Sequence, residues 1–340
     1  MAKRIKKKKQ NTKKRVLIII LIIIIVLISG FFFLYNKYLG DMNKVEIDED
    51  ELDANESLNT NIINIALFGI DTREDDYDGS RSDTIMIATL DKEHQKIKLT
   101  SIMRDTYLSI PGEKYDKINH SYAYGGPALT IKTINQNFDM NIKDFVTVNF
   151  TSLEKIVDAV DGVEIDLKQS EVSQLNGILS ELNKIAGNTV NGVSSSGLQT
   201  LNGRQAVAYC RIRYVGNADY ERTERQRSVL EKVLSKVMNN KSLSQALTLI
   251  ETLSPYIETS LSNTEMIGLA TTVFTSGISE MEDTRVPVDG YFRGGTYDGV
   301  AYLKPKTLVD NAAYLHEFIY ENEDYSPSVT VSEISETINK

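Results

Sequence analysis

The twenty residues from Val16 to Tyr35 carry no charge and consist mainly of Ile, Leu, Val and Phe. As an α-helix rising about 1.5 Å per residue they would extend about 30 Å, the thickness of the hydrocarbon core of a bilayer. No small-x-small cleavage site follows Ser29 or Gly30, which argues against a cleaved signal peptide. The pattern therefore predicts one transmembrane helix over residues 16–35, with parts of the chain on opposite sides of a membrane.

The flank before this segment sets the predicted orientation. Residues 1–15 contain nine Lys and Arg and no acid. Positively charged flanks stay in the cytoplasm and also contact lipid headgroups. We therefore expect a single-pass protein of the cell membrane, with residues 1–15 as a cytoplasmic basic segment and everything after Tyr35 outside the cell.

The charge of the outer part restricts its partners. The chain carries −9 overall, of which residues 1–15 contribute +9, and this leaves −18 for residues 16–340. An acidic domain beyond the membrane is a poor partner for DNA or RNA, so no nucleic-acid binding is expected. Cys210 is the only cysteine, which excludes an internal disulfide. We expect it to be a small buried side chain rather than a nucleophile.

Composition divides the outer part into three segments. Residues 41–56 contain eight acids and one Lys without periodicity, so residues 36–60 are interpreted as an acidic, solvated extracytoplasmic spacer. Residues 61–323 are long enough for one large domain with a substantial core. Residues 324–340 are interpreted as a polar tail. The three histidines show no metal-ligand spacing and are taken as structural.

Apolar runs predict an α/β domain. Residues 62–70 form a nearly continuous apolar run, typical of a strand covered on both faces. Residues 84–90 and 97–103 read as strands of a hairpin whose turn centres between Glu93 and His94. The other predicted strands are 145–149, 163–167 and 284–288, and the predicted helices are 128–137, 153–160, 220–239, 244–256, 264–275 and 305–320. This alternation indicates a mixed β-sheet layered between helices.

An arginine-rich run follows within this otherwise acidic domain. Five arginines lie between Arg211 and Arg227. The guanidinium group donates to phosphate or carboxylate oxygens two at a time. If the sequence VAYCRIRY forms a strand, Arg211 and Arg213 project to the same face. The run therefore predicts a site for a multiply charged anion.

The helix expected after this strand extends the same site. Arg222, Arg225 and Gln226 share one helical face at spacings i, i+3 and i+4. A strand and a helix that aim guanidinium groups at one point could hold such an anion. The alternative is a solvated helix in which Glu221 and Glu224 are ion-pair partners.

Two acids flank the loop between the first two strands. Asp71 follows the first strand and Asp83 precedes the second, so both are expected at one end of the sheet. Hairpin pairing with positions that sum to 187 places Arg104 opposite Asp83, and Arg73 and Arg81 lie in the same loop. Paired carboxylates suit Mg²⁺, or Mn²⁺, together with substrate phosphates. The alternative is an ion-pair cluster that caps the strand ends.

Several segments together resemble the LytR–CpsA–Psr family of membrane-anchored cell-envelope proteins. They are NIALFGIDTRE, RSDTIMIATLD, IKLTSIMRDTYLSIPG, KINHSYAYGGP, DAVDGVEIDL and RIRYVGNADYERTERQRSVL, in this order. The resemblance runs from about residue 64 to residue 237 and continues more weakly to residue 320. It implies the α/β fold of that family after one N-terminal membrane helix.

The resemblance also implies roles for the candidate residues. Asp71 and Asp83 occupy the metal-binding acidic positions and, with Arg81 and Arg104, the catalytic centre. The pyrophosphate-contacting positions are held by Arg81, Arg104, Arg211 and Arg213. The head-group positions on the following helix, also part of the pyrophosphate-binding set, are held by Arg222, Arg225 and Gln226.

The implied activity is transfer of a wall glycopolymer, such as teichoic acid or capsule, from a polyprenyl-pyrophosphate carrier to peptidoglycan through a phosphodiester. The isoprenoid tail is expected in an apolar groove between the sheet and helices. Two alternatives stay open: hydrolysis of the same substrate by water, and a regulator that binds a lipid-linked glycan without chemistry. Ile-, Lys- and Asn-rich usage without Trp indicates a Gram-positive host.

Overall fold

A seven-stranded mixed sheet organises the fold. Its strands are β1 (Asn43–Lys44), β2 (Ile62–Ile70), β3 (Ser82–Asp91), β4 (Lys96–Ile102), β7 (Asp144–Asn149), β10 (Glu258–Thr259) and β11 (Glu280–Val286). They lie in the order β1-β10-β7-β2-β3-β4-β11. Pairing is parallel between β1 and β10, β7 and β2, and β4 and β11, and antiparallel elsewhere in this sheet. The predicted mixed sheet is confirmed.

Short hairpins and helices complete the fold. The two-stranded sheets pair β5 (Tyr107–Ser109) with β6 (Tyr115–Lys117), β8 (Val163–Leu167) with β9 (Gly197–Leu201), and β12 (Phe292–Tyr297) with β13 (Val300–Pro305). The helices are α1 (Ile118–Phe138), α2 (Phe150–Ala159), α3 (Gln169–Ala186), α4 (Gly203–Cys210), α5 (Asp219–Asn239), α6 (Asn263–Thr275), α7 (Leu308–Tyr320) and α8 (Val329–Ile338).

This computed structural model describes residues 43–70, 72, 77, 79–213, 215, 219–239, 246, 248, 252–278, 280–321 and 324–340. The predicted cytoplasmic segment and transmembrane helix lie outside these residues, as do Asp71, Arg73 and residues 244, 245, 247 and 249–251 of the helix expected over 244–256. Within the described part of the chain, no helix combines the length and the apolar character needed to cross a bilayer.

The two faces of the sheet are covered differently. Along β2, the alternate residues Ala66, Phe68 and Ile70 are buried against α1, α7 and α8 in a continuous apolar core. The opposite face of β2, where Leu67 and Gly69 lie, is partly accessible. A second core, formed by α2, α3, α4, α5 and the β8–β9 hairpin, lies beside this face. The helix–sheet–helix layers therefore leave one face of the sheet available for a site.

The hairpin of β3 and β4 has the predicted register. Ile85 pairs with Ile102 and Asp91 with Lys96, so paired positions sum to 187. The helix predicted over 128–137 is the second half of α1, which bends at Gly125 and Gly126. Gly126 has φ +62° and ψ −154°, a conformation that favours glycine. The first half of α1 was not predicted, nor were α3 and β9.

The predicted VAYCRIRY strand is wrong. Its first half belongs to α4, and Arg211 caps the end of this helix. Asn202 and Gln205 form a capping box at the start of α4, with each side chain bonded to the other's backbone N–H. Because α4 is enclosed by the second core, almost all of its side chains are buried. Uniform burial removes the polar stripe that marks a surface helix, and a short apolar run then resembles a strand.

The predicted polar tail and acidic spacer are also partly wrong. Residues 329–338 form α8, and its Val331, Ile334 and Ile338 are buried in the core beneath the sheet. At the other end of the domain, Leu52 is buried in the same core. The Asn135 side chain donates to the Leu52 carbonyl at 2.9 Å, which ties this segment to α1. The folded domain therefore extends beyond residues 61–323 on both sides.

Truncation of an apolar side chain on α8 should destabilise the fold. We expect Ile334→Ala to lower the free energy of unfolding by about 2–4 kcal/mol, because the residue is buried in the core. The matched change Glu336→Ala, at an exposed position of the same helix, should stay within about 0.5 kcal/mol. Urea denaturation measures both values. Equal stability of the two variants would indicate that α8 does not contribute to the core.

Candidate functional site

The site forms at the edge of the sheet where β2, β7 and β4 end and β3 begins. Gly69 pairs with Thr84 but Ile70 pairs with Ser82, so Asp83 is the extra residue of a β-bulge. A bulge redirects a side chain out of the regular alternation. Gly69 is required here, because a Cβ at this position would lie 2.8 Å from the Thr84 Cβ. The local backbone thus presents the Asp83 carboxylate at the sheet edge.

Three arginines converge on this carboxylate. Arg104 Nη1 donates to Asp83 Oδ1 at 2.6 Å. Arg213 Nη2 lies 3.3 Å and Arg222 Nη1 3.8 Å from Asp83 Oδ2. The predicted proximity of Arg104 and Asp83 is confirmed. The structure also brings Arg213 and Arg222 to the same point, although Arg213 lies on the loop after α4 and not on a strand.

The remaining predicted residues are placed as follows. Arg211 lies with its guanidinium carbon 4.8 Å from the centre of the Phe150 ring, a cation–π contact. Gln226 lies one helical turn after Arg222, and both side chains line an apolar cavity that is described below. Arg81, just before β3, is exposed to solvent. Asp71 follows β2 directly but lies outside the described residues.

Arg225 is placed differently from its neighbours. It is 3% exposed, its Nε lies 2.7 Å from Glu171 Oε1, and its Nη2 lies 2.7 Å from Glu221 Oε2. It also donates to the carbonyls of Ile212 at 3.1 Å and Val215 at 3.4 Å. The structure therefore does not bring Arg225 to the site. Instead, the Arg225 side chain holds the backbone of the loop that carries Arg213.

An apolar cavity of about 310 Å³ opens beside the arginines. Its floor is the accessible face of β2, β3 and β7, and its walls are α2 and α5 with residues near α6. Among the described residues, the charged side chains that line it are one acid, Asp83, and three bases, Arg211, Arg213 and Arg222. The main apolar lining residues are Leu67, Met86, Val146, Val148, Phe150, Leu153, Ile156, Leu230, Val233, Leu253, Ile257 and Met266.

Cys210 also lines this cavity and is buried, as predicted. Burial raises the pKa of its thiol to about 12, despite an opposing effect of the Arg225 charge. Thiolate is the nucleophilic form of cysteine, and a pKa this high leaves almost none at neutral pH. Cys210 is therefore part of the apolar wall.

The sequence profile of the LytR_cpsA_psr family matches residues 30–313. This chain belongs to the LytR_cpsA_psr family. Among its relatives is the polyisoprenyl-teichoic acid–peptidoglycan teichoic acid transferase TagU of Enterococcus faecalis, 33% identical over 71% of this chain and 73% of the relative. The transferase of the same description, TagT of Bacillus subtilis, is 32% identical over 68% of this chain and 70% of the relative.

Solved structures of the family share the fold. The structure described as family protein YwtF (TagT) with bound octaprenyl pyrophosphate lipid superposes with a TM-score of 0.60. It is 26% identical in sequence, and the alignment covers 81% of this chain and 99% of that chain. The predicted family and its mixed α/β fold are confirmed.

A second cluster of potential ligands lies far along β3, at the other end of the hairpin. Asp91, His94 and Glu321 are the metal-ligand cluster found within the described part of the chain. The Lys98 ammonium, fully buried, lies 2.9 Å from Asp91 Oδ2 and 3.1 Å from Glu321 Oε1. Burial opposes ionisation of Asp91, but hydrogen bonds from His94 and Lys98 outweigh it and lower its pKa. Because the Lys98 ammonium already supplies positive charge at this position, we interpret the cluster as a structural ion-pair network and not as a metal site.

The structural role of Arg225, in contrast to the site arginine Arg213, can be tested by comparing the free energies of unfolding of alanine variants. Arg225→Ala should lower the free energy of unfolding by about 3–5 kcal/mol, because it leaves the buried Glu171 carboxylate without its partner. Arg213→Ala should change it by less than about 0.5 kcal/mol, since its side chain is 49% exposed. Denaturant unfolding gives both values. Equal effects of the two substitutions would contradict the structural role of Arg225.

Proposed function

We propose that this protein transfers a wall glycopolymer, such as teichoic acid, from a polyprenyl-pyrophosphate carrier to peptidoglycan and forms a phosphodiester. The observation that carries the proposal is the combination of an apolar cavity with a cationic group of arginines at one end. A polyprenyl pyrophosphate has the same two parts, a long hydrocarbon and a compact polyanion. Relatives of this chain carry the transferase activity in their names.

The cavity suits the hydrocarbon of the carrier. Its floor and walls consist almost entirely of aliphatic and aromatic side chains, and its volume is about 310 Å³. Each methylene transferred from water to such a surface contributes about 0.8 kcal/mol. In the absence of directional contacts, this affinity depends on the length of hydrocarbon buried and not on its exact structure. The cavity therefore favours a hydrocarbon chain over a polar group.

The arginines suit the pyrophosphate. Arg211, Arg213 and Arg222 line the cavity beside a single described acid, so the described lining carries net positive charge. The Asp83 carboxylate offsets part of that charge through its contacts with Arg104, Arg213 and Arg222. A pyrophosphate could accept from the same planar donors two at a time.

Asp71 and Asp83 are proposed as ligands of Mg²⁺, or of Mn²⁺. The chemistry of the described donor fits, because Asp83 offers carboxylate oxygens and its side chain remains 18% exposed. Mg²⁺ commonly binds through one or two carboxylates together with substrate phosphates. The bound ion would neutralise charge on the pyrophosphate.

In the proposed reaction, a hydroxyl of the peptidoglycan glycan attacks the phosphorus that bears the glycopolymer. The new P–O bond forms as the bond to the lipid phosphate breaks, and the proton of the attacking hydroxyl passes to solvent water. The arginines stabilise the charge that develops on the departing lipid phosphate. Asp83 already accepts from Arg104 and faces two further guanidinium groups, so its oxygens are poorly placed to take the proton.

The membrane segment completes the proposal. Residues 16–35 would anchor the chain, with the catalytic domain on the outer side of the cell membrane, where the lipid carrier and peptidoglycan meet. The carrier enters the cavity from the bilayer, so an anchored enzyme searches for it in two dimensions. Cell fractionation with protease protection of the intact chain tests this placement.

The reaction is tested with the full chain in detergent, a labelled polyprenyl-pyrophosphate glycan and peptidoglycan oligomers. Label should move to the oligomers, and Asp83→Asn or a chelator should reduce the rate at least about 100-fold, the scale of removing one electrostatic group from a transition state. Glu164→Gln, at an exposed position of β8, serves as the matched carboxylate control. Release of free glycan phosphate without transfer would indicate a hydrolase, and an intact bound lipid would indicate a regulator.

Filling the cavity should weaken lipid binding selectively. Val146→Trp places a bulky ring on the cavity floor, and we expect affinity for a long polyprenyl pyrophosphate to fall at least about 10-fold, because buried methylenes are lost. Affinity for a short-chain analogue should change little. Ile185→Trp, at an exposed position of α3, is the control. Fluorescence titration measures each affinity, and an equal loss for both chain lengths would contradict the assignment of the cavity to the tail.

A further inference from the structure

A group of tyrosines lies beside the site without a part in the proposed chemistry. The ring centres of Tyr107 and Tyr302 are 5.0 Å apart, those of Tyr107 and Tyr115 are 5.8 Å apart, and those of Tyr297 and Tyr302 are 6.5 Å apart. Tyr124 joins them through a shared carboxylate. These five side chains, from β5, β6, α1 and the β12–β13 hairpin, are called the tyrosine platform.

A buried carboxylate holds the platform in place. Asp116, 4% exposed, accepts from the Tyr124 hydroxyl at 3.0 Å and from the Tyr302 hydroxyl at 3.2 Å. The His120 ring nitrogen Nδ1 lies 2.9 Å from the same group. Burial alone would raise the pKa of Asp116, but hydrogen bonds from His120, the Lys117 backbone N–H and Tyr124 lower it to about 2. The acceptor therefore stays ionised, and two ring orientations are fixed in advance.

The platform remains open to solvent. Tyr124 is 46% and Tyr297 37% exposed. Across the hairpin, the residue paired with Tyr302 is Gly295, which has no side chain to cover the ring. The Lys304 ammonium lies 4.7 Å from the centre of the Tyr107 ring and 4.3 Å from that of Tyr297. Aromatic faces and a cationic donor are thus offered together.

The platform is continuous with the catalytic edge of the sheet. Arg104, which binds Asp83, lies 3.7 Å from the Asp105 carboxylate. The other oxygen of Asp105 lies 2.7 Å from the Lys117 ammonium, and this ammonium lies 5.7 Å from the centre of the Tyr302 ring. The Leu303 N–H also donates to the Asp105 carbonyl, which fastens the hairpin beside the site. A polymer on the platform would therefore reach Asp83.

We propose that the tyrosine platform binds the glycan strand of peptidoglycan and so presents the acceptor hydroxyl to the site. This inference rests on the proposed transferase function. The face of a phenol ring is electronegative and attracts the polarised C–H groups of a sugar ring. Phenol hydroxyls and the Lys304 ammonium can bond to sugar hydroxyl and acetamido groups. A rigid aromatic surface provides such contacts at low cost in conformational entropy.

The acceptor fits this surface better than the donor polymer does. The donor is already held by its lipid and pyrophosphate, whereas the acceptor needs a site of its own. The Lys304 ammonium would attract a polyphosphate chain, but the Asp116 carboxylate bonded to two of the rings and the Asp298 carboxylate close to Tyr107 would repel it. The nearby Lys117 ammonium is already paired with Asp105. A glycan strand of N-acetyl amino sugars has no phosphate in its backbone and so meets less repulsion.

The test measures binding of labelled peptidoglycan glycan oligomers to the full chain in detergent. Tyr124→Leu and Tyr297→Leu should each weaken binding about 3- to 10-fold, the value of one aromatic contact. In the transfer assay they should raise KM for the oligomer and leave KM for the lipid donor unchanged. Tyr256→Leu removes an exposed tyrosine away from the platform and should alter neither value.

The possible results separate the two proposals. Unchanged oligomer binding by both platform variants, with transfer intact in the wild type, overturns the acceptor site and leaves the transferase standing. If the platform variants bind free teichoic acid more weakly than the wild type but bind the oligomer equally well, the acceptor site is also overturned. The platform would then bind the donor polymer. Failure of the wild type to transfer label, with oligomer binding that depends on Tyr124 and Tyr297, overturns the transferase alone. Thermal unfolding checks that each variant is folded.

Discussion

The contact between the Asp83 carboxylate and three arginines allows this domain to hold several positive charges close together at one edge of its sheet. Arg104, Arg213 and Arg222 come from a strand end, a loop and a helix, and like charges at such short range repel. One carboxylate placed in a bulge, between Ser82 and Thr84, offsets that repulsion before any ligand arrives. The arrangement is assembled in advance, so an incoming anion replaces existing partners and does not need to order three side chains.

Preorganisation of this kind needs support from behind the site. Arg225 bonds Glu171 on α3 and Glu221 on its own helix, and it holds two backbone carbonyls of the loop that carries Arg213. Arg227, also on α5, lies 2.6 Å from the Asp283 carboxylate on β11 and so attaches the helix to the sheet. The arginine-rich run thus contains two kinds of residue, those that face the ligand and those that fix the frame.

Much of the candidate site at the sheet edge could be predicted from the sequence, because the register of a hairpin follows from the position of its turn. Two apolar runs separated by a short polar turn placed Arg104 against Asp83 without knowledge of the fold. The helix that carries Arg222 was also predicted, since its charge and spacing are typical. Spacing alone could not separate Arg225 from Gln226. Which helical face meets the cavity depends on the packing of α3, and that helix was not predicted.

The two missed helices have different physical causes. Helix α4 is enclosed by the second core, and burial on nearly every side hides its amphipathic periodicity. Helix α8 buries one stripe, formed by Val331, Ile334, Ser335 and Ile338, but its otherwise polar composition led to the prediction of a tail. Their polar residues proved a poor guide, because Asn202 and Ser328 are helix caps and not loop residues. The cavity was expected between sheet and helices, but its lining could not be assigned. An empty groove and a filled core use the same side chains.

The burial of α8 has a consequence for biosynthesis. Its Val331 and Ile338 belong to the same core as Leu52, so the first and last segments of the described domain share one core. A chain still emerging, whether from a ribosome or through a translocation channel, cannot close this core until residue 338 is free. Until then it exposes apolar surface that invites aggregation. We therefore expect folding to be completed only after α8 has been synthesised and released, and a reporter joined before α8 would interrupt the step that completes the domain.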